Sequence, residues 1–277
     1  AMRPTKFCFL WMLAVVIISN QGADLFAVEI IGHRGASHEA PENTLASVNL
    51  AWQQNADAVE IDVYLSKDGH IVAFHDKTTE RLAGVDKHVV AQTLAELQQL
   101  DVGRWKHKKY AGERIPTLSD VLATIPDGKR LFIEVKCGPE IVSQLKRDLK
   151  QSGKKPEQTA VISFSHDVCA AVKRAMPELK VYWVVGLEQD DDTGAWSPHI
   201  EVLIARAKRA NLDGLDLGNA EVIDKTYVSR VKKAGLGFYM WTINDPADAR
   251  RLVEAGVEGL TTDRPGWLRE KLLLGAE

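Results

Sequence analysis

From residue 28 onward the chain alternates short apolar runs with amphipathic stretches, and this repeat limits the possible folds more than any other feature. The apolar runs are rich in β-branched and aromatic residues, and several are apolar on both faces, as buried parallel strands are. The amphipathic stretches have apolar residues at i, i+3 and i+4, and several end in glycine, which is typical of helices. So many strand–helix units, joined by right-handed crossovers, favour one (β/α)8 TIM barrel over an open sheet.

Nine apolar runs are predicted to be strands, although a barrel of this kind has eight places. They are Val28–Gly32, Ala58–Leu65, His70–His75, Leu131–Lys136, Ala160–Phe164, Lys180–Val185, Gly214–Leu217, Gly237–Thr242 and Gly259–Thr262. An Asp-Gly turn joins the second and third runs and is too tight to contain a helix, so we expect an irregular barrel on that side. The sequence does not indicate which of the nine runs lies outside the barrel.

Two further segments depart from the repeat. Lys77–Pro116 is too long for a simple loop, contains a short helix pattern at Thr93–Leu100, and is expected to pass over the barrel mouth. Residues 1–27 place Arg3 and Lys6 ahead of an apolar run that is shorter than the ~18 residues of a spanning helix. We expect a signal peptide there, with an uncleaved membrane anchor as the alternative. Residues 28–277 are then predicted to be one exported domain, periplasmic or extracellular.

The composition of the chain excludes several functions. The 277 residues carry a formal net charge of −3 and no long run of like charge, so no general attraction to nucleic acid or to acidic membranes is expected. Membrane contact would be limited to the N-terminal segment. After the leader only Cys137 and Cys169 remain, and two unpaired thiols are expected rather than a disulfide. No cysteine pattern indicates zinc. The chemistry must therefore be local.

Acidic residues inside apolar strands are the informative anomaly, because burying a lone charge is costly. Glu60 and Asp62 lie two residues apart, so on a strand both side chains point to the same face. Two carboxylates held together repel unless a cation lies between them or one is protonated. Glu134 could complete an all-oxygen site for Mg²⁺ or Ca²⁺. Ordinary buried salt bridges are the alternative.

Basic residues stand at the ends of the same strands, where the active sites of such barrels form. Lys136 shares a face with Glu134, and the planar fork of Arg34 suits bidentate phosphate binding, although both could be structural ion-pair partners. His33 and His75 follow apolar runs, and two histidines can divide proton transfer across a phosphodiester. A lone histidine at a strand end is more often a satisfied polar group.

Three further positions leave a choice between a structural and a functional role. Trp241 is either a core residue or an apolar wall for a substrate. Asp76 either orients the neighbouring histidine or begins the following turn. In the sequence Pro41–Thr44, Asn43 or Thr44 is expected to cap the next helix, and this reading is favoured over a direct catalytic role.

The motifs together resemble those of the glycerophosphodiester phosphodiesterase family along essentially the whole chain after the leader. In chain order they are HRG with PENT, EIDV, FHD, TLAEL followed by LD, IPTLSDVL, IEVK, SF, WTIN and GLTTDRP. Each motif alone is weak, but their joint order and spacing are specific. The resemblance implies an irregular TIM barrel with an insertion after the third strand, which would account for Lys77–Pro116.

The resemblance also implies a reaction and the residues that carry it out. The reaction would be the metal-dependent hydrolysis of glycerophosphodiesters to sn-glycerol 3-phosphate and an alcohol, with one divalent cation, Mg²⁺ or Ca²⁺. The implied roles are acid–base catalysis by His33 and His75, cation binding by Glu60, Asp62 and Glu134, phosphate binding by Arg34 and Lys136, and a pocket wall at Trp241. The alternatives are a lysophospholipase D or sphingomyelinase D-like phosphodiesterase, and an exported binding protein that captures phosphodiesters without cleaving them.

Overall fold

The computed structural model describes residues 28–274, and within them eight parallel strands close into a barrel. The described strands are β1 (Glu29–Gly32), β2 (Ala58–Leu65), β3 (Ile71–Ala73), β4 (Arg130–Val135), β5 (Thr159–Ser163), β6 (Lys180–Val185), β7 (Glu188–Gln189), β8 (Trp196–Ser197), β9 (Gly214–Gly218), β10 (Gly237–Trp241) and β11 (Gly259–Thr262). Around the ring the order is β1, β2, β4, β5, β6, β9, β10 and β11, and β1 pairs with both β2 and β11. The predicted TIM barrel is confirmed.

The strand that lies outside the ring is β3. It pairs antiparallel with the upper half of β2, so that Leu65 lies opposite Ile71 and Val63 opposite Ala73. The chain therefore rises past the barrel rim on β2, turns at Gly69 with a φ of +84°, and descends again on β3. This resolves the excess of one predicted strand. The hairpin is antiparallel because the five residues 66–70 cannot form the crossover that a parallel pair needs.

Helices surround the ring and follow most of its strands. They are α1 (Leu45–Gln53), α2 (Glu80–Ala83), α3 (Leu94–Leu97), α4 (Leu118–Thr124), α5 (Val142–Ser152), α6 (His166–Ala175), α7 (Ile200–Arg209), α8 (Lys225–Lys233), α9 (Pro246–Ala255) and α10 (Pro265–Leu274). Local sequence sets several ends: Thr44 caps α1 in a reciprocal pair with Ser47, and Asp245 caps α9 ahead of Pro246. Gly256 ends α9 with a φ of +94°.

The barrel interior changes character along its axis. Its lower part is filled by apolar and aromatic side chains from alternate strand positions, namely Ile31, Ala58, Phe132, Ala160, Ile162, Tyr182, Val184 and Tyr239. Two residues further along β2 and β4, the inward positions are Glu60 and Glu134. The barrel is thus a packed core that ends in a layer of carboxylates at the carboxyl ends of its strands.

The predicted excursion after the third strand has a small core of its own. Val72 and Phe74 from the hairpin pack with Leu82 of α2, with Val89, and with Leu97 of α3. The short helix expected in this segment is present as α3. Because this cluster joins the insertion to the hairpin, the two form one cap on the barrel.

The cap also contacts the loop that follows β1. Lys106 Nζ donates a hydrogen bond to the carbonyl of Ser37 at 2.6 Å, and Tyr110 Oη donates to the carbonyl of Glu39 at 3.0 Å. The insertion therefore lies over one side of the barrel mouth, as the sequence predicted.

Two sequence predictions concern other parts of the chain. Cys137 and Cys169 are both free thiols, as expected. The predicted signal peptide or anchor falls in residues 1–27, which lie outside the described residues. Within residues 28–274, no helix combines the length and apolarity needed to cross a membrane.

Candidate active site

Three carboxylates from neighbouring strands meet at the upper end of the barrel. Glu60 and Asp62 extend from β2, and Glu134 extends from the adjacent β4, where it lies opposite Asp62. One oxygen from each of the three lies within 4.8 Å of the others, and all three residues are buried. The prediction that Glu60 and Asp62 share a face and are joined by Glu134 is confirmed as geometry.

Two basic side chains reach this acidic cluster. Lys136 Nζ lies 2.8 Å from Glu134 Oε1 and 3.4 Å from Asp62 Oδ1, and Arg34 Nε lies 3.2 Å from Asp62 Oδ2. Both residues were predicted to bind the phosphate or to act as ion-pair partners. In the structure they are ion-pair partners of the acids and border the site at the same time.

The cluster nevertheless contains three carboxylates and only two basic partners. Glu60 is the carboxylate that forms no ion pair with either of them. Its Oε2 accepts a hydrogen bond from the backbone N–H of Arg34 at 2.9 Å, whereas its Oε1 has no partner within residues 28–274. Burial, followed by the nearby charges of Asp62 and Glu134, raises the pKa of Glu60 well above its usual range. Burial and the charge of Asp62 likewise raise the pKa of Glu134.

Three close carboxylates with two cations and one orphaned oxygen fit a further cation. The ligand atoms are all oxygens, which hard divalent ions prefer. A buried carboxylate without a partner is otherwise costly. The three predicted ligands therefore form a site that could hold a metal ion, and the alternative of fully paired salt bridges accounts only for Asp62 and Glu134.

His33 directly follows β1 and is hydrogen-bonded to an aspartate that follows β11, the strand that pairs with β1 to close the ring. Its Nδ1 lies 2.7 Å from Asp263 Oδ1, just after β11. Ser37 Oγ donates to the same oxygen at 3.0 Å, and Asn244 Nδ2 donates to Asp263 Oδ2 at 2.6 Å. Although burial raises the pKa of Asp263, the bonds from His33 and these neighbours hold that pKa well below its ordinary value. His33 also lines a cavity with Glu60 and Glu134.

His75 reaches the barrel mouth by way of the descending strand. The backbone N–H of Phe74 donates to the carbonyl of Asp62 at 2.9 Å, so β3 returns His75 to the level of the acidic cluster. His75 Nδ1 lies 2.7 Å from Asp76 Oδ1, which agrees with an orienting role for Asp76. The sequence placed His75 at the end of a barrel strand. The run is the one that lies outside the ring, since β3 is antiparallel and ends at Ala73, and His75 nevertheless lies at the barrel mouth.

The Pro-Glu-Asn-Thr turn contributes more than a helix cap. Thr44 is the cap, as predicted, but Asn43 binds Asp62 twice: its Nδ2 donates to Asp62 Oδ2 at 2.8 Å, and its Oδ1 accepts from the Asp62 backbone N–H at 3.0 Å. Glu42 accepts from Arg34 at 2.9 Å and from Arg81 at 2.7 Å. Sequence reasoning missed both roles, because the cap explained the turn sufficiently.

A chain of charges thereby joins the two sides of the site. Arg81 Nε lies 2.5 Å from Asp76 Oδ2, and the other end of the same guanidinium binds Glu42. Although burial opposes it, the bonds and charges of Arg81 and Arg34 lower the pKa of Glu42. The path runs from His75 through Asp76, Arg81 and Glu42 to Arg34, and the short helix α2 of the insertion supplies its middle member.

Trp241 lies on the opposite wall of the mouth, at the end of β10. Its ring meets that of Phe164 edge to face, with centroids 5.2 Å apart, and its Nε1 donates to the backbone carbonyl of Asp216 at 3.2 Å. It is half-buried and lines the cavity that contains His33. The structure therefore combines the two predicted roles, since the ring is fixed by the core and faces the site.

The fold is a (β/α)8 barrel, and its candidate active site lies at the carboxyl ends of the strands, where the active sites of such barrels form. Residues 33–267 match the model of the "Glycerophosphoryl diester phosphodiesterase family", so the chain belongs to that family. The predicted family and the predicted enzyme class are confirmed.

Individual relatives agree with this assignment. A glycerophosphodiester phosphodiesterase of Caldanaerobacter subterraneus is 35% identical over 243 residues, which cover 85% of this chain and 94% of the relative. Among solved structures, an Oleispira antarctica phosphodiesterase in complex with the product sn-glycerol-3-phosphate is 32% identical, has a TM-score of 0.78, and is matched over 89% of this chain and 97% of its own. A Parabacteroides distasonis glycerophosphodiester phosphodiesterase is 25% identical with a TM-score of 0.72, over 91% and 99%.

Proposed function

We propose that the protein hydrolyses glycerophosphodiesters, such as glycerophosphocholine or glycerophosphoethanolamine, to sn-glycerol 3-phosphate and an alcohol in a metal-dependent reaction. The observation that carries the proposal is the buried cluster of Glu60, Asp62 and Glu134, which lacks one positive charge and is bordered by Arg34 and Lys136. The names of the relatives, and the sn-glycerol-3-phosphate held by the Oleispira structure, support the same class of substrate.

Glu60, Asp62 and Glu134 would hold one divalent cation, Mg²⁺ or Ca²⁺, because an all-oxygen ligand set suits both. Bound there, the cation supplies stabilisation for charge that develops on the phosphoryl oxygens. Asn43 fixes the orientation of Asp62 for this purpose. Arg34 and Lys136 would offer N–H donors to the phosphate.

His33 and His75 would divide the proton transfers. The Nδ1 atom of each lies 2.7 Å from a carboxylate, Asp263 for His33 and Asp76 for His75. This contact orients each ring and leaves Nε2 as the nitrogen that exchanges a proton with substrate. One ring then removes the proton of the nucleophile, and the other protonates the departing alkoxide.

The direct test is a product-release assay with the purified chain. The enzyme is first stripped of metal, then supplied with Mg²⁺ or Ca²⁺, and offered glycerophosphocholine and glycerophosphoethanolamine while sn-glycerol 3-phosphate is measured. We expect product only after one of the cations is restored. Undiminished turnover by the stripped enzyme would contradict the metal requirement, and no product under any condition would contradict the proposed reaction.

One observation favours a lipid-directed phosphodiesterase as a second candidate. Trp105 of the insertion is 41% exposed and lines a groove together with His33, and Val90 of the same insertion is 47% exposed. Such side chains suit contact with an acyl chain or a lipid surface. Turnover of lysophosphatidylcholine vesicles and of glycerophosphocholine should be compared for the natural protein and Trp105→Ala. The lipid-directed function predicts the faster rate on vesicles and its selective loss in the variant.

A further inference from the structure

Asp216 is an acidic residue of the barrel interior that none of the roles above uses. It lies on β9, between Val184 of β6 and Tyr239 of β10, and is 2% exposed. Its side chain lines the same cavity as His33 and Glu60. Strand β9 stands four places from β2 in a ring of eight, so Asp216 faces the acidic cluster from the opposite wall.

The Asp216 carboxyl has no partner that would explain its burial. Within residues 28–274 its Oδ1 accepts no hydrogen bond, and no basic side chain forms an ion pair with it. Asp62, buried to the same degree, has Asn43, Arg34 and Lys136 as partners. A buried polar group without a partner costs stability, so the fold gains nothing from an acid at position 216.

Asp216 is also separate from the candidate metal ligands. The group whose oxygens all lie within 4.8 Å of one another contains Glu60, Asp62 and Glu134 but not Asp216. The remaining residues that line the cavity are Ile162, Val184 and Trp241, which are largely apolar, and Thr261. The cavity thus has one highly charged side and one mainly apolar side, on which Asp216 is the single carboxyl.

This second side is suited to a small carbon skeleton with a hydroxyl group. The skeleton would lie against Trp241, whose ring is held in place by its bond to the Asp216 backbone carbonyl. The hydroxyl would meet the carboxyl that otherwise has no partner. A glycerol unit whose phosphate lies at the acidic cluster has this arrangement of groups.

We propose that Asp216 is a specificity-determining residue that hydrogen-bonds a free hydroxyl of the glycerol moiety. The inference rests on the proposed function, because it assigns one part of the same substrate to one part of the same cavity. A site built to hydrogen-bond a hydroxyl discriminates strongly against substrates that lack it, since its own polar group is then left unpaired. Asp216 would therefore select deacylated glycerophosphodiesters among phosphodiesters in general.

The test compares two substrates in two variants. Asp216→Leu removes the polar group but keeps a side chain that branches at Cγ, and Asp216→Asn keeps a hydrogen-bonding group. For each, kcat/KM is measured with glycerophosphocholine and with bis(p-nitrophenyl) phosphate, which has no glycerol. We expect Asp216→Leu to lower the ratio of the two kcat/KM values by about 10²-fold, and Asp216→Asn to restore much of it. Asp148→Asn, a buried acid of α5 that is partnered by Gln144, is the control and should leave the ratio unchanged.

Folding is followed at the same time through the melting temperature. Because Asp216 is buried without a partner, Asp216→Asn, which keeps the size of the side chain, should melt at the same temperature as the natural protein or higher. A lower melting temperature would show that Asp216 serves the fold, and an unchanged substrate ratio would show that it does not read the hydroxyl. Either result overturns the inference. If the natural protein cleaves the synthetic diester but no glycerophosphodiester, the proposed function itself fails.

Discussion

His33 and His75 have the same local arrangement although they come from different parts of the fold. Each presents Nδ1 to an aspartate at 2.7 Å, and each aspartate is held by a further donor, Asn244 for Asp263 and Arg81 for Asp76. A histidine that only fills a space does not need this support. The paired support is what proton transfer requires, because it fixes the ring and its tautomer.

Replacing either histidine should therefore greatly lower turnover and leave cation binding intact. We expect His33→Ala and His75→Ala each to lower kcat by about 10²-fold or more, because general acid–base catalysis contributes that much. The cation-induced rise in melting temperature should persist, since neither histidine belongs to the acidic cluster. His199→Ala, at an exposed position before α7, is the control. Near-normal turnover by both active-site variants would contradict the assignment.

Glu60 allows the candidate metal centre to be tested without an activity assay. Burial and two neighbouring acids raise its pKa, so neutralising it relieves repulsion when no cation is bound. We expect metal-free Glu60→Gln to melt at or above the temperature of the metal-free natural protein, and to lose most of the cation-induced shift in melting temperature. Glu178→Gln, at an exposed turn, should retain the shift. A full shift in Glu60→Gln would show that cations bind elsewhere.

The elements of the barrel were predictable because their signals are local. A period of two placed Glu60 and Asp62 on one face, and the same period paired Glu134 with Lys136. The position of β3 outside the ring was not predictable from its own residues, because a short apolar run has the same pattern in a barrel strand and in a hairpin strand. Only the closed ring, with all eight places filled by other strands, shows that it lies outside.

The residues of the site that sequence reasoning missed depend on distant contacts. Asp263 meets His33 across 230 positions because β11 and β1 close the ring, and no spacing rule reaches that far. Arg81 meets Glu42 because the insertion folds back over the first loop. Asp216 is different, since an acid inside an apolar run was visible in the sequence and is the same signal that identified Glu60.

Arg81 of the short helix α2 allows the contribution of the whole insertion to the site to be tested. Arg81 binds Asp76 and Glu42 together, so its loss should release His75 on one side and Arg34 on the other. We expect Arg81→Met to lower kcat by about tenfold or more and to change its pH profile, because the orientation of a proton-transferring group is disturbed. Lys87→Met, which breaks an exposed ion pair of the same insertion, should have little effect. Equal losses in both variants would point to a general disturbance of the insertion.

At the scale of the whole molecule, Glu29 at the bottom of the barrel should make the stability of the protein depend on pH. Burial, which outweighs the charge of Arg130, raises the pKa of Glu29 to about 7 from its ordinary value of 4.5. Between these values the folded state keeps a proton that the unfolded state releases, so this contribution to stability is complete below pH 4.5 and is lost as the pH rises through 7. The loss is up to about 3 kcal/mol.

Glu29→Gln should remove this dependence. We expect the free energy of unfolding of the natural protein, measured in urea without divalent cations, to fall relative to that of the variant as the pH rises from 4.5 to 7. Taking the difference between the two proteins cancels the other buried acids, which titrate in both. A difference that is constant over this range would show that Glu29 is ionised throughout.

The position of β3 separates the requirements for folding from those for chemistry. The ring closes through eight strands without β3, and Glu60, Asp62, Glu134 and His33 all belong to that ring or its first loop. Of these candidate catalytic and metal-binding residues, only His75 follows β3 and is positioned by the hairpin and its cap. Ile71 and Ala73 of β3 pack in the barrel core, so only a change confined to the end of the hairpin would spare the fold. Such a change would displace His75 and leave the ring and the acidic cluster in place, so a normal melting curve would not by itself show that the proposed proton transfer is intact.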